Sequence, residues 1–330
     1  PAGPALNADE SDRRLTLTLA GQPLGRLRLA RGEELHLQLQ SPGEVPSVQA
    51  LWAACYWLFA GEPERQHLVW HLGHAPDEAL RSGLLLATDV AGQFRCERTL
   101  FWQLPQPWLG QPVSGAYPQQ MILSNGKRHP VRAPKPCGEV YRRFDARLGA
   151  WISLRTLEID VDLARFNRWQ NSARVASFWQ ESGSLEQHRD YLEKLAADPH
   201  ALTLIGCFDD EPFAYFEAYW AREDRIAPFY EVDDYDRGTH MLVGEEHHRG
   251  PHKVASWLAA LVHYLFLDDP RTQRVVAEPR ADNAKMIGYM QNQCFHCEKE
   301  FDFPHKRAAL MILGRERFFE RCGLACDLGG

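Results

Sequence analysis

The chain has 330 residues, 45% of them hydrophobic and 25% charged, with a formal net charge of -7. That length is more than one core usually absorbs, so two domains are expected. The negative balance argues against sequence-independent nucleic-acid binding, which needs a basic footprint, and no apolar run approaches the roughly 20 residues of a membrane span.

Residues 14–40 alternate apolar and polar positions, with turns at Gly21-Gln22-Pro23 and Arg31-Gly32, and read as an antiparallel meander. "VQALWAACYWLFAGE" follows as a helix that is apolar on most faces, hence buried. Strands are expected at "HLVWHLG" and "GLLLATDV". Residues 124–138, "SNGKRHPVRAPKPCG", carry three prolines and five basic residues counting His129, without periodicity. This is the best linker candidate, and its charge reads as solvated. The organisation expected is an accessory domain over 1–123, a linker over 124–148 and a second domain over 149–330.

In the second domain "WISLRTLEI" reads as a strand, and "DVDLARFNRWQN" as a helix with Asp160 or Asp162 near its cap. "SLEQHRDYLEKLAAD" is an amphipathic helix with Ser184 and Gln187 at capping-box spacing. "ALTLIGCFDDEPFAYFEAYWA" reads as two strands joined at Asp209-Asp210-Glu211-Pro212. "GTHMLVG" is a strand, "PHKVASWLAALVHYLFLD" a long helix, "RTQRVVAEP" a strand, "DNAKMIGYMQNQ" a helix and "FDFPHKRAALMIL" a final strand. That order is α+β, with one central mixed sheet.

The turn Glu245–Lys253 lies between a strand and a helix. Gly250 allows close backbone approach, and Pro251 suits the first helical position. Free N–H groups at the positive end of the helix dipole, with Arg249 and Lys253, suit a pyrophosphate. Many such turns bind nothing. His247, His248 and His252 lack a supporting carboxylate or helical spacing for zinc and read as solvated. His240 lies within the strand. It suits a general base, although spacing alone favours a hydrogen-bonded core histidine.

Eight cysteines are scattered through apolar and helical contexts, and Pro1 is not followed by a charged-then-apolar leader; both point to a reduced cytoplasmic setting. Cys294, Cys297, Cys322 and Cys326 could compose a four-thiolate zinc site, but they fall on a strand and a helix, so buried free thiols are expected instead.

Five collinear stretches carry a more specific signal: "NSARVASFW", "IGCFDDEPFAYFEAYWAREDRIAPFY", "DRGTHMLVGEEHHRGPHK", "HYLFLDDPRTQRVVAEPRADN" and "KEFDFPHKRAALMIL". From about residue 150 to 320 the chain resembles the siderophore hydroxamate acyltransferases of the GCN5-related N-acetyltransferase (GNAT) superfamily. The resemblance implies a GNAT fold with a smaller N-terminal α/β domain. It also implies acyl transfer, most often acetyl, from acyl-coenzyme A to the N-hydroxylated side-chain amine of lysine, ornithine or a diamine, with no metal.

On that resemblance Gly244–Val254 cradles the pyrophosphate. Met241, Leu242, Val243, Arg249, Gly250, Pro251, His252, Lys253 and Val254 form the acyl-CoA side, joined by Asn283, Met286 and Tyr289. His240 matches the family's candidate base and Glu278 its assisting acid, with Asp282 in reserve. Trp169, Asn171, Arg174, Trp179, Glu217, Tyr219, His305 and Lys306 match the acceptor side. The backbone N–H near Val243 or Gly244 is the oxyanion donor. There are departures. His252 stands where a second small residue is usual, Asn167 where a histidine is frequent, and Ser172-Ala173 in place of aspartate–proline. Tyr289, rather than residue 290, follows the helix asparagine as a thiolate proton donor. A longer acyl donor, an unhydroxylated amine, or a non-catalytic CoA-binding partner of a siderophore synthetase are the alternatives. Partners implied are the small-molecule amine, a synthetase or monooxygenase, and a second copy in a homodimer.

Overall fold

The structure is a computed structural model and describes residues 6–19, 21–41, 45–110, 113, 117–321 and 324. The chain divides into two compact units, 1–104 with 324–330, and 105–323.

The first unit contains β1 (Leu6–Ser11), β2 (Arg14–Leu19), β3 (Gln22–Arg31), β4 (Leu35–Leu39), α1 (Val48–Gly61), β5 (His67–His71), α2 (Asp77–Ser82), β6 (Leu86–Ala87), β7 (Gln93–Glu97) and α3 (Arg98–Phe101). Its sheet runs β1-β2-β3-β4-β5-β7-β6. The alternating pattern produces the antiparallel meander, with Leu15, Leu17, Leu27, Leu29, Leu35 and Leu37 buried on one face. The buried helix α1 is the crossover that makes β5 parallel to β4. Ser47 caps it, accepting from the Ala50 N–H at 3.1 Å.

Part of the linker expected over 124–148 is regular structure, while residues 131–137 lie outside any strand or helix. β8 (Met121–Ser124) and β9 (Lys127–Pro130) form a hairpin, with Asn125 and Gly126 both at positive φ. Asn-Gly is the preferred pair for a two-residue turn of that hand. Three of the basic residues are not solvated either, although Arg128 is exposed. Lys127 donates to the carbonyls of Glu223 and Asp224, Arg132 binds Glu223 through two nitrogens, and Lys135 donates to the carbonyls of Leu195 and Ala196. These contacts repay the desolvation that composition alone could not anticipate.

The rest of the second unit keeps the expected order but adds two elements that were not expected, β10 and α5: β10 (Glu139–Asp145), β11 (Ala150–Thr156), α4 (Ile159–Gln170), α5 (Ala173–Trp179), α6 (Leu185–Ala197), β12 (Ala201–Phe208), β13 (Glu211–Trp220), β14 (Arg237–Val243), α7 (Pro251–Asp268), β15 (Arg274–Ala277), α8 (Ala284–Asn292), β16 (His296–Asp302), β17 (Arg307–Gly314) and α9 (Arg315–Arg321). The expected single final strand is thus two, folded back on each other. The sheet order is β10-β11-β12-β13-β14-β15-β17-β16, with β14 and β15 parallel and the other pairs antiparallel.

Both faces of the central strands are covered, which explains their unbroken apolar runs. Leu163, Phe166, Trp169, Val175 and Leu192 of α4–α6 pack with Ile205, Tyr215 and Leu242 of the sheet, while Trp257 of α7 stacks on Phe216 at 5.3 Å. The capping box of α6 forms as its spacing predicts. In α4 Asp162 is not the cap. It is fully buried and holds Arg155 by paired bonds of 2.7 and 2.8 Å.

Of the cysteines considered for zinc, Cys322 and Cys326 lie outside the described residues. Cys294 is half-buried and Cys297 exposed, so the expectation of buried thiols does not hold for Cys297.

Candidate active site

Three neighbouring strands bring three ionisable groups together. Glu217 on β13 is the cross-strand partner of His240 on β14, and Glu278 directly follows β15. His240 Nδ1 lies 2.7 Å from Glu217 Oε2, and its Nε2 lies 2.6 Å from Glu278 Oε1. Both carboxylates are further held by phenols. Tyr191 of α6 and Tyr215 donate to Glu217, and Tyr219 donates to Glu278 at 2.8 Å. Tyr219 reaches Glu278 because residue 238 is glycine: a Cβ there would stand 1.9 Å from the Tyr219 ring.

Electrostatics follow from this geometry. Burial opposes the charge on His240, but Glu278 and Glu217 more than offset it and hold the imidazole up at about 10. Burial would raise Glu278, yet the facing imidazolium outweighs it and brings the carboxyl down to about 2. Glu217 is lowered by the same balance. At neutral pH the group is an imidazolium between two carboxylates. Two cations border it. The Arg225 guanidinium is 3.8 Å from Glu278 Oε1, and Lys306 donates to the Glu278 carbonyl at 2.6 Å. Trp179 closes one side, its ring 6.4 Å from that of His240.

Beside this cluster the sheet opens. β14 pairs with β15 only at Arg237↔Val275 and Gly238↔Val276. From Thr239 onward one edge of β14 has no strand partner. Gly244 N–H bonds to the Phe213 carbonyl at 2.8 Å. By alternation, the N–H groups of Thr239, Met241 and Val243 therefore face the opening. At its far end Gly250 adopts φ +129, in a region that favours glycine. No side chain caps α7, so its first N–H groups stay available to an anion. An extended amide-bearing ligand with a pyrophosphate fits both features.

An acetyltransferase (GNAT) domain family matches residues 158–303. The chain is 47% identical over 236 residues to a putative lysine N-acyltransferase of Schizosaccharomyces pombe, covering 71% of this chain and 70% of that one. It is 40% identical over 301 residues to an N(6)-hydroxylysine O-acetyltransferase of Escherichia coli, covering 90% and 93%. It also superimposes on an uncharacterized protein of Bacillus halodurans with a TM-score of 0.54 at 28% identity, over 57% of this chain and 95% of that one. The chain belongs to the siderophore hydroxamate acyltransferases of the GNAT superfamily.

A GNAT enzyme takes its acyl group from acyl-coenzyme A, and the opening beside β14 presents free backbone N–H groups and a helix N-terminus. Met241, Leu242 and Val243 form that edge, and Arg249, Gly250, Pro251, His252, Lys253 and Val254 the turn and first helical residues. His252 fills the space above Gly250, its ring 2.9 Å from where a Cβ would be. Lys253 lies over the Phe208 ring at 4.4 Å. Asn283 caps α8 by accepting from Met286 N–H, and Tyr289 sits on that helix under Lys285.

Not every expected acceptor residue reaches the cluster. Glu217, Tyr219, Trp179 and Lys306 do, and His305 stacks on Phe303 beside them at 5.5 Å. Trp169 is buried beneath Gly244, where a Cβ would stand 2.1 Å from its ring, and gives its indole N–H to Glu245. Arg174 donates to the Val243 and Gly244 carbonyls, on the side of the turn. Asn171 ties down the loop at Gly183. Asp282 is exposed and chelated by Arg280, away from His240. Of the two oxyanion donors considered, Gly244 N–H is already spent on Phe213.

Sequence reasoning missed Tyr191, Tyr215 and Arg225. Tyr215, Glu217 and Tyr219 alternate along one strand, so a period of two could have exposed that face. Tyr191 carried no such signal.

Proposed function

We propose that this chain transfers an acyl group, most simply acetyl, from acyl-coenzyme A to the N-hydroxylated side-chain amine of lysine, ornithine or a diamine. The observation that carries this reading is His240 clasped between Glu217 and Glu278 at the mouth of the β14–β15 opening. An alkylammonium entering there meets an imidazolium, Arg225 and Lys306 against two carboxylates, whereas a hydroxylamine is neutral near pH 7 and enters without a charge to lose. Its nitrogen attacks the thioester carbonyl, and Val243 N–H faces the oxygen that becomes charged.

The proton leaving nitrogen goes to the His240–Glu278 pair. Because the imidazole is already protonated at neutral pH, the Glu278 carboxylate, oriented by His240 and Tyr219, takes up the proton and passes it to the more basic sulfur that departs, which returns Glu278 to its ionised form. Collapse then expels the coenzyme A thiolate and leaves a hydroxamate. No step calls for a metal. Asp282 has no part in it, and Trp169, Asn171 and Arg174 act by shaping the loop and turn.

The first unit is assigned an accessory role. The same reading sets the enzyme in the cytoplasm, between an N-hydroxylating monooxygenase and a synthetase that consumes the hydroxamate, and allows a homodimer. Among the described residues no helix is long and apolar enough to cross a membrane.

Steady-state kinetics with N-hydroxylysine, N-hydroxyornithine, N-hydroxycadaverine and lysine, read by thiol release and by the coloured ferric complex of the product, test the assignment. His240→Ala should lower kcat by about 10²–10⁴ while acyl-coenzyme A binding holds. Unchanged turnover in that variant sinks the role of His240, and preference for lysine over N-hydroxylysine sinks the acceptor class.

A further inference from the structure

The first residue of β13 supplies the carboxylate that the histidine-rich segment lacks in sequence. Glu211 Oε1 lies 2.8 Å from His247 Nε2, and its Oε2 lies 3.1 Å from His248 Nε2. The two imidazoles face each other with centroids 4.2 Å apart. All three donor atoms fall within 4.8 Å of one another. Glu211 and His247 are exposed, while His248 is buried among Phe208 and Phe213.

We propose that Glu211, His247 and His248 form a divalent transition-metal site, distinct from the acyl-transfer cluster. Two imidazoles and one carboxylate suit Zn²⁺ or Ni²⁺ rather than Mg²⁺ or Ca²⁺, which prefer all-oxygen shells. With bonds of about 2.0–2.1 Å, tetrahedral donors stand about 3.3 Å apart, so the ligands need only small movements to close on an ion. The fourth position remains open to water.

One imidazole on a carboxylate is an ordinary hydrogen bond. Two adjacent histidines turning the same nitrogen to one carboxylate is different, because protonating both sets like charges against each other. Neutral imidazoles binding one ion avoid that repulsion. The Nδ1 of His248 is buried without a partner. A missing outer hydrogen bond of this kind weakens a site by about 10–100-fold.

A second cluster, His129, His200 and Glu223, has similar donors. There Arg132 already occupies both oxygens of Glu223, at 2.6 and 2.8 Å. Among the described residues no equivalent competitor stands on Glu211.

The ion would tie the start of β13 to the segment that leads into Gly250 and α7. Its effect belongs to acyl-donor affinity, not to the chemistry at His240. The test is calorimetric titration of the full, untagged chain with Zn²⁺ alone, its thiols kept reduced. One equivalent should disappear in Glu211→Gln and in His247→Asn, yet persist in His200→Asn and in Cys297→Ser. Loading with Co²⁺ should give the visible absorption of a tetrahedral complex in the wild-type chain and not in Glu211→Gln. Both substituted ligands are exposed, so the variants should keep the wild-type far-ultraviolet circular dichroism. No saturable equivalent in the wild-type chain, or one that survives both ligand substitutions, overturns the proposal.

Discussion

At the residue scale, the side chains in this site set one another's charge. His240 would be mostly neutral above pH 7 as a free imidazole, but between Glu217 and Glu278 it is held at about 10. The sign of the pH dependence follows from linkage. A raised imidazole stabilises the fold fully below its ordinary value of 6.5, and that contribution is lost as pH rises through about 10. Glu278, lowered to about 2, contributes above its ordinary 4.5 and loses this as pH falls toward 2. Stability against urea should therefore decline between about pH 7 and 10, and this slope should flatten in Glu278→Gln. An equally steep slope in that variant would show that the pair does not govern the titration. In Glu278→Gln the His240 ring signals should also titrate at lower pH, since the largest opposing charge is gone.

At the element scale, the segment after β8 shows how little its composition revealed. Three prolines and a run of basic residues suggested a solvated linker, but Arg132, Lys127 and Lys135 bind acceptors distant in sequence. Arg132 and Glu223 are nearly water-free, at 3% and 4% exposure, and the guanidinium also lies 4.1 Å over the Trp220 ring. Removing one partner of a buried pair strands the other charge, at a cost of about 3–5 kcal/mol. Arg132→Ala should destabilise the second unit by that order in chemical denaturation, well beyond the effect of an exposed arginine such as Arg189. The site is likewise built from elements. Glu217, His240 and Glu278 converge because β13, β14 and β15 are neighbours, and the opening exists because β14 and β15 share only two residue pairs.

At the scale of the whole molecule, the two units share an order of elements. In each, three antiparallel strands lead through a crossover helix to a parallel strand and then an antiparallel one: β2-β3-β4, α1, β5, β7 in the first, and β12-β13-β14, α7, β15, β17 in the second. The crossover helices differ where it matters for an anion. Ser47 uses its own oxygen to cap α1, whereas Gly250 leaves the α7 N-terminus open. The first unit thus repeats the order of elements without the uncapped helix N-terminus. A fragment beginning at Pro105 should fold and bind coenzyme A with the affinity of the full chain, measured by calorimetry. A folded fragment that fails to bind would assign part of the donor site to the first unit.

Read alone, the sequence determined most of what is local. Apolar periodicity located the helices and central strands, capping-box spacing placed the start of α6, and the long collinear stretches indicated the acyltransferase family. It also singled out His240 and Glu278, although only through that resemblance, since strand spacing favoured a core histidine. What tertiary structure decided is what depends on partners distant along the chain. It brought Glu217 to His240, set Tyr191 and Tyr215 on that carboxylate, and spent Gly244 N–H on Phe213. It also carried Glu211 to His247 and His248. Periodicity reports which face of an element is buried. The charge a side chain carries is set by neighbours that only the folded sheet supplies.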